Sequence, residues 1–426
     1  MLKSMLRRLI VTGCLTVYVG GDHFTVGEPS YEMPWLAGAI RIRSRRAAAR
    51  LAADPEFELG QCYMDGDLEI VDGNLWTLLE ILGRNMPNFG SPSLGYRLRG
   101  QLNRLLRPRN GLAAARRIAS RHYNLSDTLY RQFLDADMQY SCAYFERGDM
   151  TLDEAQAAKK AHIAAKLALE PGQRVLDIGC GWGGLTLSLA QGCDVHVTGI
   201  TVSETQLRAA RHRAAEAGLA DRVRFEMWDY REIPERFDRI VSVGMAEHVG
   251  RRDLATYFAA IRDALMPGGV ALMHAIGRKD PAGGTNPWID RYIFPGGYIP
   301  ALSETMKAIE RSGLWVTDVE IWRLHYAATL REWRRRCEEK RTIIELRYDA
   351  RFYRMWEFYL ASCEMAFRFD GLMVGQVQLA ADIGTLPISR DYMLYREDAW
   401  AQSIKTHPPL RDERAFEFPF QTRSPS

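Results

Sequence analysis

The feature that most constrains the fold is a run of glycines that follows a short apolar segment and precedes a helical one. Residues 174–178 form the apolar segment, Gly179-Cys-Gly-Trp-Gly-Gly184 follows it, and residues 185–191 have helical character. Glycines at a strand-to-helix turn let the backbone approach a ligand closely, and the helix N-terminus offers free N–H groups. The run therefore predicts a ligand-binding turn at the end of a β-strand.

The turn alone does not identify the ligand. A nicotinamide-binding Rossmann enzyme also uses glycines at this point, and a tight turn without any ligand is a further alternative. Asp177 comes directly before the turn, and its carboxylate suits a ligand without phosphates or a cationic one such as a sulfonium.

Strand-like and helical segments alternate around this turn. Apolar runs at residues 195–200, 223–226, 239–243 and 270–275 are separated by helical segments, the clearest at residues 152–169 and 203–217. This alternation is typical of a parallel, doubly wound sheet with helices on both faces. We therefore predict an α/β, Rossmann-like fold for the larger part of the chain.

The composition divides the chain into four parts. Residues 1–90 mix strand-like runs with helical ones (37–53 and 75–82), which predicts a smaller α+β domain. We assign residues 91–112 to a basic linker, residues 113–390 to the catalytic domain, and residues 391–426 to a C-terminal tail without a role.

The strand-like runs within residues 1–90 are residues 9–19 and 68–71. The first of them resembles a signal peptide, but no clear cleavage site follows it, so we predict a buried strand there.

Several classes of protein are disfavoured by composition. No apolar run reaches the roughly 18–20 residues that cross a bilayer. The seven cysteines are scattered and form no C-x-x-C pair, so a disulfide framework or a zinc site is poorly supported, and no metal is expected. A reducing cytoplasm is the expected compartment.

Positive charge is concentrated in two stretches, although the net charge is only +3. Arginine recurs between Ile81 and Ser126, where there is no Asp or Glu, and again at Arg41, Arg43, Arg45, Arg46 and Arg50. The patches are either solvated faces or a surface for polyanions, of which an anionic lipid surface is the first choice. No nucleic-acid-binding motif accompanies them, so no nucleic-acid partner is expected.

Several linked motifs resemble those of the cyclopropane fatty acid synthase family, which includes the mycolic acid cyclopropane synthases. The motifs are Asp177-Ile-Gly-Cys-Gly-Trp-Gly-Gly184, Gly199-Ile-Thr-Val-Ser-Glu-Thr-Gln206, Asp229-Tyr-Arg231, Met245-Ala-Glu-His-Val-Gly250 and His325-Tyr-Ala-Ala-Thr-Leu330. The likeness covers roughly residues 118 to 380. It implies a sheet that binds S-adenosylmethionine (SAM), with helical insertions, and transfer of a methylene to the cis double bond of a phospholipid acyl chain.

The resemblance also assigns the residues that bind the cofactor. Around its methionine part it implies Asp177, Gly179, Gly181 and Gly183. For the adenosine side it implies Thr201, Val202, Gln206, Asp229 and Tyr230. For closure over the sulfonium it implies Tyr140 and Ser141. Core packing is the alternative for Tyr230 taken alone.

The chemistry requires a base. An isolated double bond is a poor nucleophile, its methylation leaves a carbocation, and ring closure removes a proton from the added methyl group. The resemblance implies bound bicarbonate as that base, held by Cys142, Glu247, His274, Tyr326 and the backbone of Ile276. Each of these residues alone also has a structural interpretation, since buried His and Cys side chains most often serve packing.

The expected partners are unsaturated phospholipids at the inner face of the membrane, with the protein peripherally associated, and a second copy of the chain in a homodimer. Related lipid methyltransferases that give methyl- or methylene-branched chains remain an alternative. An amine N-methyltransferase and a lipid-binding protein without activity are more distant ones.

Overall fold

The N-terminal part of the chain folds around a four-stranded sheet. The computed structural model describes residues 1–89, 127–280 and 285–405. The elements of the first range are α1 (Leu2–Leu9), β1 (Gly13–Val19), β2 (Asp22–Glu28), β3 (Ala37–Ile42), α2 (Arg45–Ala53), α3 (Pro55–Asp65), β4 (Leu68–Asp72) and α4 (Leu75–Arg84). The strand order is β2-β1-β3-β4, and only the β1–β3 pair is parallel.

Two predictions for this part were wrong in detail. The run at residues 9–19 is not all strand, because α1 ends at Leu9 and β1 begins only at Gly13. The alanine-rich segment 37–53 is not one helix, because its first six residues form β3. There Ile40 and Ile42 are buried and Arg41 is exposed, which is the period of a strand, and pairing with β1 outweighs the helix propensity of alanine.

The second sheet has seven strands, in the order β10-β11-β9-β8-β5-β6-β7. Its strands are β5 (Arg174–Ile178), β6 (His196–Ile200), β7 (Val223–Glu226), β8 (Phe237–Val243), β9 (Leu265–Arg278), β10 (Trp315–Trp322) and β11 (Leu372–Ala380). The strands from β5 to β9 are parallel, and β10 and β11 are antiparallel to their neighbours. The α/β, Rossmann-like fold is therefore confirmed.

Helices cover both faces of this sheet and extend beyond it. They are α5 (Asp127–Phe133), α6 (Leu152–Leu167), α7 (Gly184–Gly192), α8 (Glu204–Glu216), α9 (Leu254–Ala264), α10 (Pro287–Tyr292), α11 (Leu302–Ser312), α12 (His325–Glu339), α13 (Arg341–Arg347), α14 (Ala350–Phe369) and α15 (Asp391–Lys405). Of these, α10 and α12–α14 are the helical insertions. Among the described helices, none has both the length and the apolar character that a bilayer crossing requires.

The four-stranded sheet shares a hydrophobic cluster with the helical insertions of the larger domain, through α3 and α14. The Tyr63 hydroxyl donates to Glu357 at 2.7 Å. A Cβ atom at Gly60 would lie only 2.6 Å from the Phe358 ring and 2.9 Å from Trp288. The backbone of α3 therefore packs directly against these two rings. The N-terminal domain thus packs directly on the insertions of the larger sheet.

The first part of the C-terminal tail belongs to the larger domain. Glu397 of α15 bonds to His162 of α6 at 3.0 Å, and the Trp400 ring packs against Gly192. Residues 406–426 and the predicted linker at residues 91–112 lie outside the described residues.

Candidate active site

The glycine turn joins β5 to α7. Gly179, Gly181 and Gly183 have φ angles of +83°, +55° and +83°, which favour glycine. A Cβ atom at Gly183 would lie 2.7 Å from the Phe225 ring, whereas one at Gly181 would meet no atom within 4 Å. The turn is therefore packed tightly at its end and open beside Gly181, where a ligand can approach the backbone.

Asp177 lies just before this turn and is buried. Its carboxylate accepts a hydrogen bond from the Thr186 hydroxyl at 2.7 Å, which ties α7 to β5. Burial raises the pKa of Asp177 to about 6. The residue therefore supports the turn, and its contact with the cofactor remains a prediction.

A second turn follows β6 and lies beside the first, because β5 and β6 are parallel neighbours. The Thr201 hydroxyl donates to Gln206 at 3.2 Å and accepts from the backbone of Ser203 at 3.2 Å. Ser203 in turn caps α8. Thr201 and Gln206 are buried and Val202 is half-buried, so the three predicted residues form one connected turn.

Asp229 follows β7, at the same edge of the sheet. Its carboxylate accepts from the backbone, Nε and Nη2 of Arg231, at 3.0, 2.6 and 2.8 Å. The Arg231 guanidinium lies 5.0 Å from the Tyr230 ring, and that buried ring meets Tyr257 edge-on at 5.3 Å. Both oxygens of Asp229 are thus engaged by Arg231, a partner that the sequence did not indicate, and Tyr230 packs in the core. Their contacts with adenine remain predictions.

The segment before α6 carries Tyr140, Ser141 and Cys142. The Tyr140 hydroxyl bonds to that of Tyr359 at 2.7 Å, and Ser141 accepts from the Lys159 ammonium at 2.8 Å. Cys142 is buried, and burial raises the pKa of its thiol well above the ordinary value. The thiol is therefore protonated at neutral pH, and it donates to the backbone carbonyl oxygen of Ala143 at 3.4 Å.

Glu247 lies in a short 3-10 helix, Ala246–His248, after β8. Its Oε1 accepts from the backbone N–H of Ile276 at 2.6 Å. The residue as a whole is half-buried, but its Oε2 is buried and has no hydrogen-bond partner among the described residues. Burial raises the pKa of this carboxyl to about 7. The Ile276 N–H thus holds Glu247, and a direct contact of this N–H with bicarbonate remains a prediction.

His274 lies on β9, two residues before Ile276, so both side chains point to the same face of the sheet. Its Nδ1 lies 3.2 Å from the Gln376 side-chain amide, and its ring meets Trp322 edge-on at 4.9 Å. Burial lowers the pKa of His274 well below the ordinary value, and the charge of Lys159 lowers it further. The ring is therefore neutral.

Tyr326 is the second residue of α12. Its ring lies 4.8 Å from Phe367 and 5.8 Å from Trp333, and Trp333 also packs on Tyr140 at 5.2 Å. Helix α12 binds the Cys142 segment as well, because Thr329 accepts from the backbone of Ala143 at 3.0 Å. Helix α12 therefore carries Tyr326 and also binds the segment that contains Cys142.

Comparison with known proteins identifies the family. Residues 112–377 match the family model described as mycolic acid cyclopropane synthetase. A probable fatty acid methyltransferase of Pseudomonas putida is 43% identical over 265 residues, which cover 61% of this chain and 67% of that protein. The cyclopropane-fatty-acyl-phospholipid synthase of Escherichia coli is 37% identical over 349 residues, which cover 79% of this chain and 86% of the relative.

The chain belongs to the mycolic acid cyclopropane synthetase family. It is a SAM-dependent methyltransferase. The solved structure of the cyclopropane synthase MmaA2 from Mycobacterium tuberculosis is 34% identical, with a TM-score of 0.59, and covers 62% of this chain and 98% of its own. That of the mycolic acid cyclopropane synthase CmaA1, complexed with SAH and CTAB, is 32% identical with a TM-score of 0.60 and the same two coverages. A coclaurine N-methyltransferase with the same TM-score is only 21% identical and indicates the fold alone.

Lys159 is the most central residue that the sequence analysis missed in this synthetase-family site. Its ammonium group is buried and donates to Gln139 and Ser141, both at 2.8 Å. Its positive charge opposes the rise that burial causes in the pKa values of Cys142 and Asp177, and it adds to the fall that burial causes in the pKa of His274.

Sequence offered little sign of this role. Lys159 lies in an alanine-rich helix in which a lysine is ordinarily a surface residue. Two other polar residues, Gln376 and Gln378 on β11, stand out more clearly in the sequence, because they interrupt an otherwise apolar strand.

Proposed function

We propose that the enzyme transfers a methylene group from SAM to the cis double bond of a phospholipid acyl chain and closes a cyclopropane ring. The observation that carries this proposal is the buried Glu247 Oε2, which has no hydrogen-bond partner in the described part of the chain, while the Ile276 N–H fixes the other carboxyl oxygen. The Escherichia coli relative, a cyclopropane-fatty-acyl-phospholipid synthase, supports the same substrate class.

Two bound groups supply reactivity that the side chains lack. SAM, when bound, supplies an electrophilic methyl group, and bicarbonate, when bound, supplies a small base for the proton that ring closure releases. The open space at Gly181 fits the first group. The buried Glu247 Oε2, which has no partner among the described residues, is an acceptor that fits the O–H of the second. What the protein contributes is orientation, exclusion of water and stabilisation of charge.

The residues proposed to hold bicarbonate are suited to an oxyanion. His274 is neutral and can donate one hydrogen bond, and the protonated Cys142 thiol can donate its one hydrogen bond by turning from the Ala143 carbonyl oxygen to the anion. Tyr326 supplies a hydroxyl, and the free oxygen of Glu247 can accept the bicarbonate O–H. Since Ile276 fixes the other oxygen of Glu247, the acceptor has a defined direction.

Aromatic rings near these residues are suited to positive charge on the acyl chain. Tyr140 and Tyr359 are joined through their hydroxyl groups, and Trp333 packs between Tyr140 and Tyr326. Aromatic faces attract cations within about 6 Å, and they also exclude the water that would capture a carbocation. We therefore assign the acyl double bond to this cluster of rings.

The N-terminal domain is the proposed contact with the lipid surface. Lys3, Arg7 and Arg8 lie on the exposed side of α1, and Arg45 and Arg46 are exposed on α2. An anionic surface attracts each such residue by about 1 kcal/mol. We propose peripheral association with a membrane on the basis of this charge.

A homodimer remains a separate prediction. Light scattering after gel filtration can test it.

A second candidate product is a methyl-branched chain. The tuberculostearic acid methyltransferase UfaA1 of Mycobacterium tuberculosis is 39% identical over 276 residues, which cover 62% of this chain and 64% of that protein. Both products begin with the same methyl transfer. Proton loss from the added methyl group with ring closure gives the cyclopropane, whereas proton loss without ring closure leaves a branched chain that still has a double bond. The amine N-methyltransferase alternative has support only from the fold.

Deuterated SAM separates the products. Vesicles of an anionic, monounsaturated phospholipid are incubated with the enzyme and SAM that carries a fully deuterated methyl group. A cyclopropane product retains two of the three deuterium atoms and loses the double bond, as mass spectrometry and proton NMR of the lipids would detect. Retention of all three, or of a double bond, would favour the branched product, and no lipid product at all would refute the proposal.

A further inference from the structure

A buried glutamine faces the predicted bicarbonate histidine. Gln376 lies in the middle of β11, is fully buried, and is directly opposite His274 in the β9–β11 pairing. Its Nε2 lies 3.2 Å from the His274 Nδ1, and its Oε1 has no hydrogen-bond partner among the described residues. A buried amide with an unpartnered oxygen lowers stability. The contact with His274 is therefore the feature of Gln376 that a function can explain.

His274 can carry only one ring proton in this environment. Burial disfavours the charged form of the ring most strongly. The nearby cations Lys159 and Lys166, and His162, disfavour it further, and Glu320 is the one nearby group that favours it. In a neutral imidazole, the partner of one nitrogen decides which nitrogen holds the proton. An amide N–H donated to Nδ1 requires that the proton is on Nε2.

We propose that Gln376 is a positioning residue that fixes His274 as the Nε2–H tautomer, so that the ring donates a hydrogen bond to bound bicarbonate. The inference rests on the proposed function, because it gives the tautomer a task in that reaction. The opposite tautomer would turn a lone pair on Nε2 toward an anion, which is repulsive. The edge-on contact with Trp322 at 4.9 Å holds the plane of the ring in place.

Two substitutions test this role. Gln376→Met keeps the approximate volume and removes the donor, while Gln376→Glu supplies an acceptor that draws the ring proton to Nδ1. We expect the KM for bicarbonate, measured in carbon-dioxide-depleted buffer, to rise about tenfold or more in both variants, the effect of losing one hydrogen bond to a charged group. In Gln376→Met, kcat at saturating bicarbonate should largely recover.

Gln378 provides the matched control. It lies two residues along β11, is equally buried, and donates to the backbone of Lys166 and to the Tyr392 hydroxyl instead of His274. Gln378→Met should therefore leave the KM for bicarbonate unchanged, even if it lowers stability. Calorimetric binding of S-adenosylhomocysteine reports whether each variant retains its folded cofactor site.

The tautomer itself is read directly by NMR of ring-15N-labelled histidine, with the His274 signals assigned from a His274→Gln variant. We expect a protonated Nε2 in the unsubstituted enzyme and a protonated Nδ1 in Gln376→Glu. A protonated Nδ1 in the unsubstituted enzyme, or an unchanged bicarbonate KM in Gln376→Met, would overturn the role of Gln376. Turnover of the unsubstituted enzyme that is independent of bicarbonate would instead overturn the proposed function, and with it this role.

Discussion

Replacing Glu247 by glutamine should make the protein more stable at neutral and alkaline pH while lowering its activity. The buried carboxyl has a pKa of about 7, and its Oε1 accepts the Ile276 N–H at 2.6 Å. A glutamine retains that bond and has the same shape, but it cannot ionise. The substitution therefore removes the cost of a buried charge without creating a cavity.

The size of the effect follows from the pKa. A rise from the ordinary value of 4.5 to about 7 corresponds to about 3 kcal/mol. Because the folded-state pKa is raised, this stability is fully present below pH 4.5, is lost as the pH rises from about 4.5 to about 7, and does not return above that. The glutamine variant does not lose this stability. Its free energy of unfolding should therefore equal that of the unsubstituted protein below about pH 4.5 and exceed it by about 3 kcal/mol near pH 8.

Thermal unfolding of both proteins at matched pH values measures the difference, and other titrating groups cancel because they are common to both. Glu232→Gln, an exposed glutamate in another 3-10 helix, is the control and should show no such trend. Turnover of Glu247→Gln should fall by about 100-fold if Glu247 accepts the bicarbonate O–H as proposed, with S-adenosylhomocysteine binding unchanged. An advantage that is absent at pH 8, or equally large at pH 5, would refute the buried-carboxyl interpretation.

Three further predictions concern the thiol, the glycine turn and the lipid surface. Cys142→Ala should lower turnover without abolishing cofactor binding, as methyl-transfer assays and calorimetry can measure. Gly183→Ala should cost about 1–3 kcal/mol of stability and weaken cofactor binding, because its Cβ would lie 2.7 Å from the Phe225 ring at a φ of +83°; denaturant unfolding tests it. High salt, or the pair Arg45→Glu and Arg46→Glu, should weaken sedimentation with anionic vesicles, and salt-independent binding would count against the charged surface.

The core of the larger sheet was predictable because its strands are buried on both faces. Strands β5 and β7 have the bounds that their apolar runs predict, and the helix after the glycine turn begins within one residue of its predicted start. Continuous apolar runs between helices leave few alternatives for such a sheet. At the edges this signal fails. Segment 37–42 became a strand through its pairing with β1, and α15 packs on α6 through contacts that no local pattern encodes.

The candidate site divides in the same way. The residues with proposed chemical roles come from motifs, whereas the charged and polar groups that influence their protonation do not. Lys159 is 18 residues from Ser141 along the chain, and Gln376 is 102 residues from His274. Such pairs are joined only by the fold, so a single sequence gives no local reason to connect them.

Burial gives the residues proposed to hold bicarbonate a common property. It favours the neutral form of Glu247, Cys142 and His274 alike, raising the pKa values of the two acids and lowering that of the base. Neutral groups can orient an anion without repelling it. Nearby, burial lowers the pKa of Lys159 to about 8, which still leaves it mostly charged at pH 7. Neutral side chains and the buried Lys159 ammonium together favour the binding of a small anion, such as the bicarbonate that we propose.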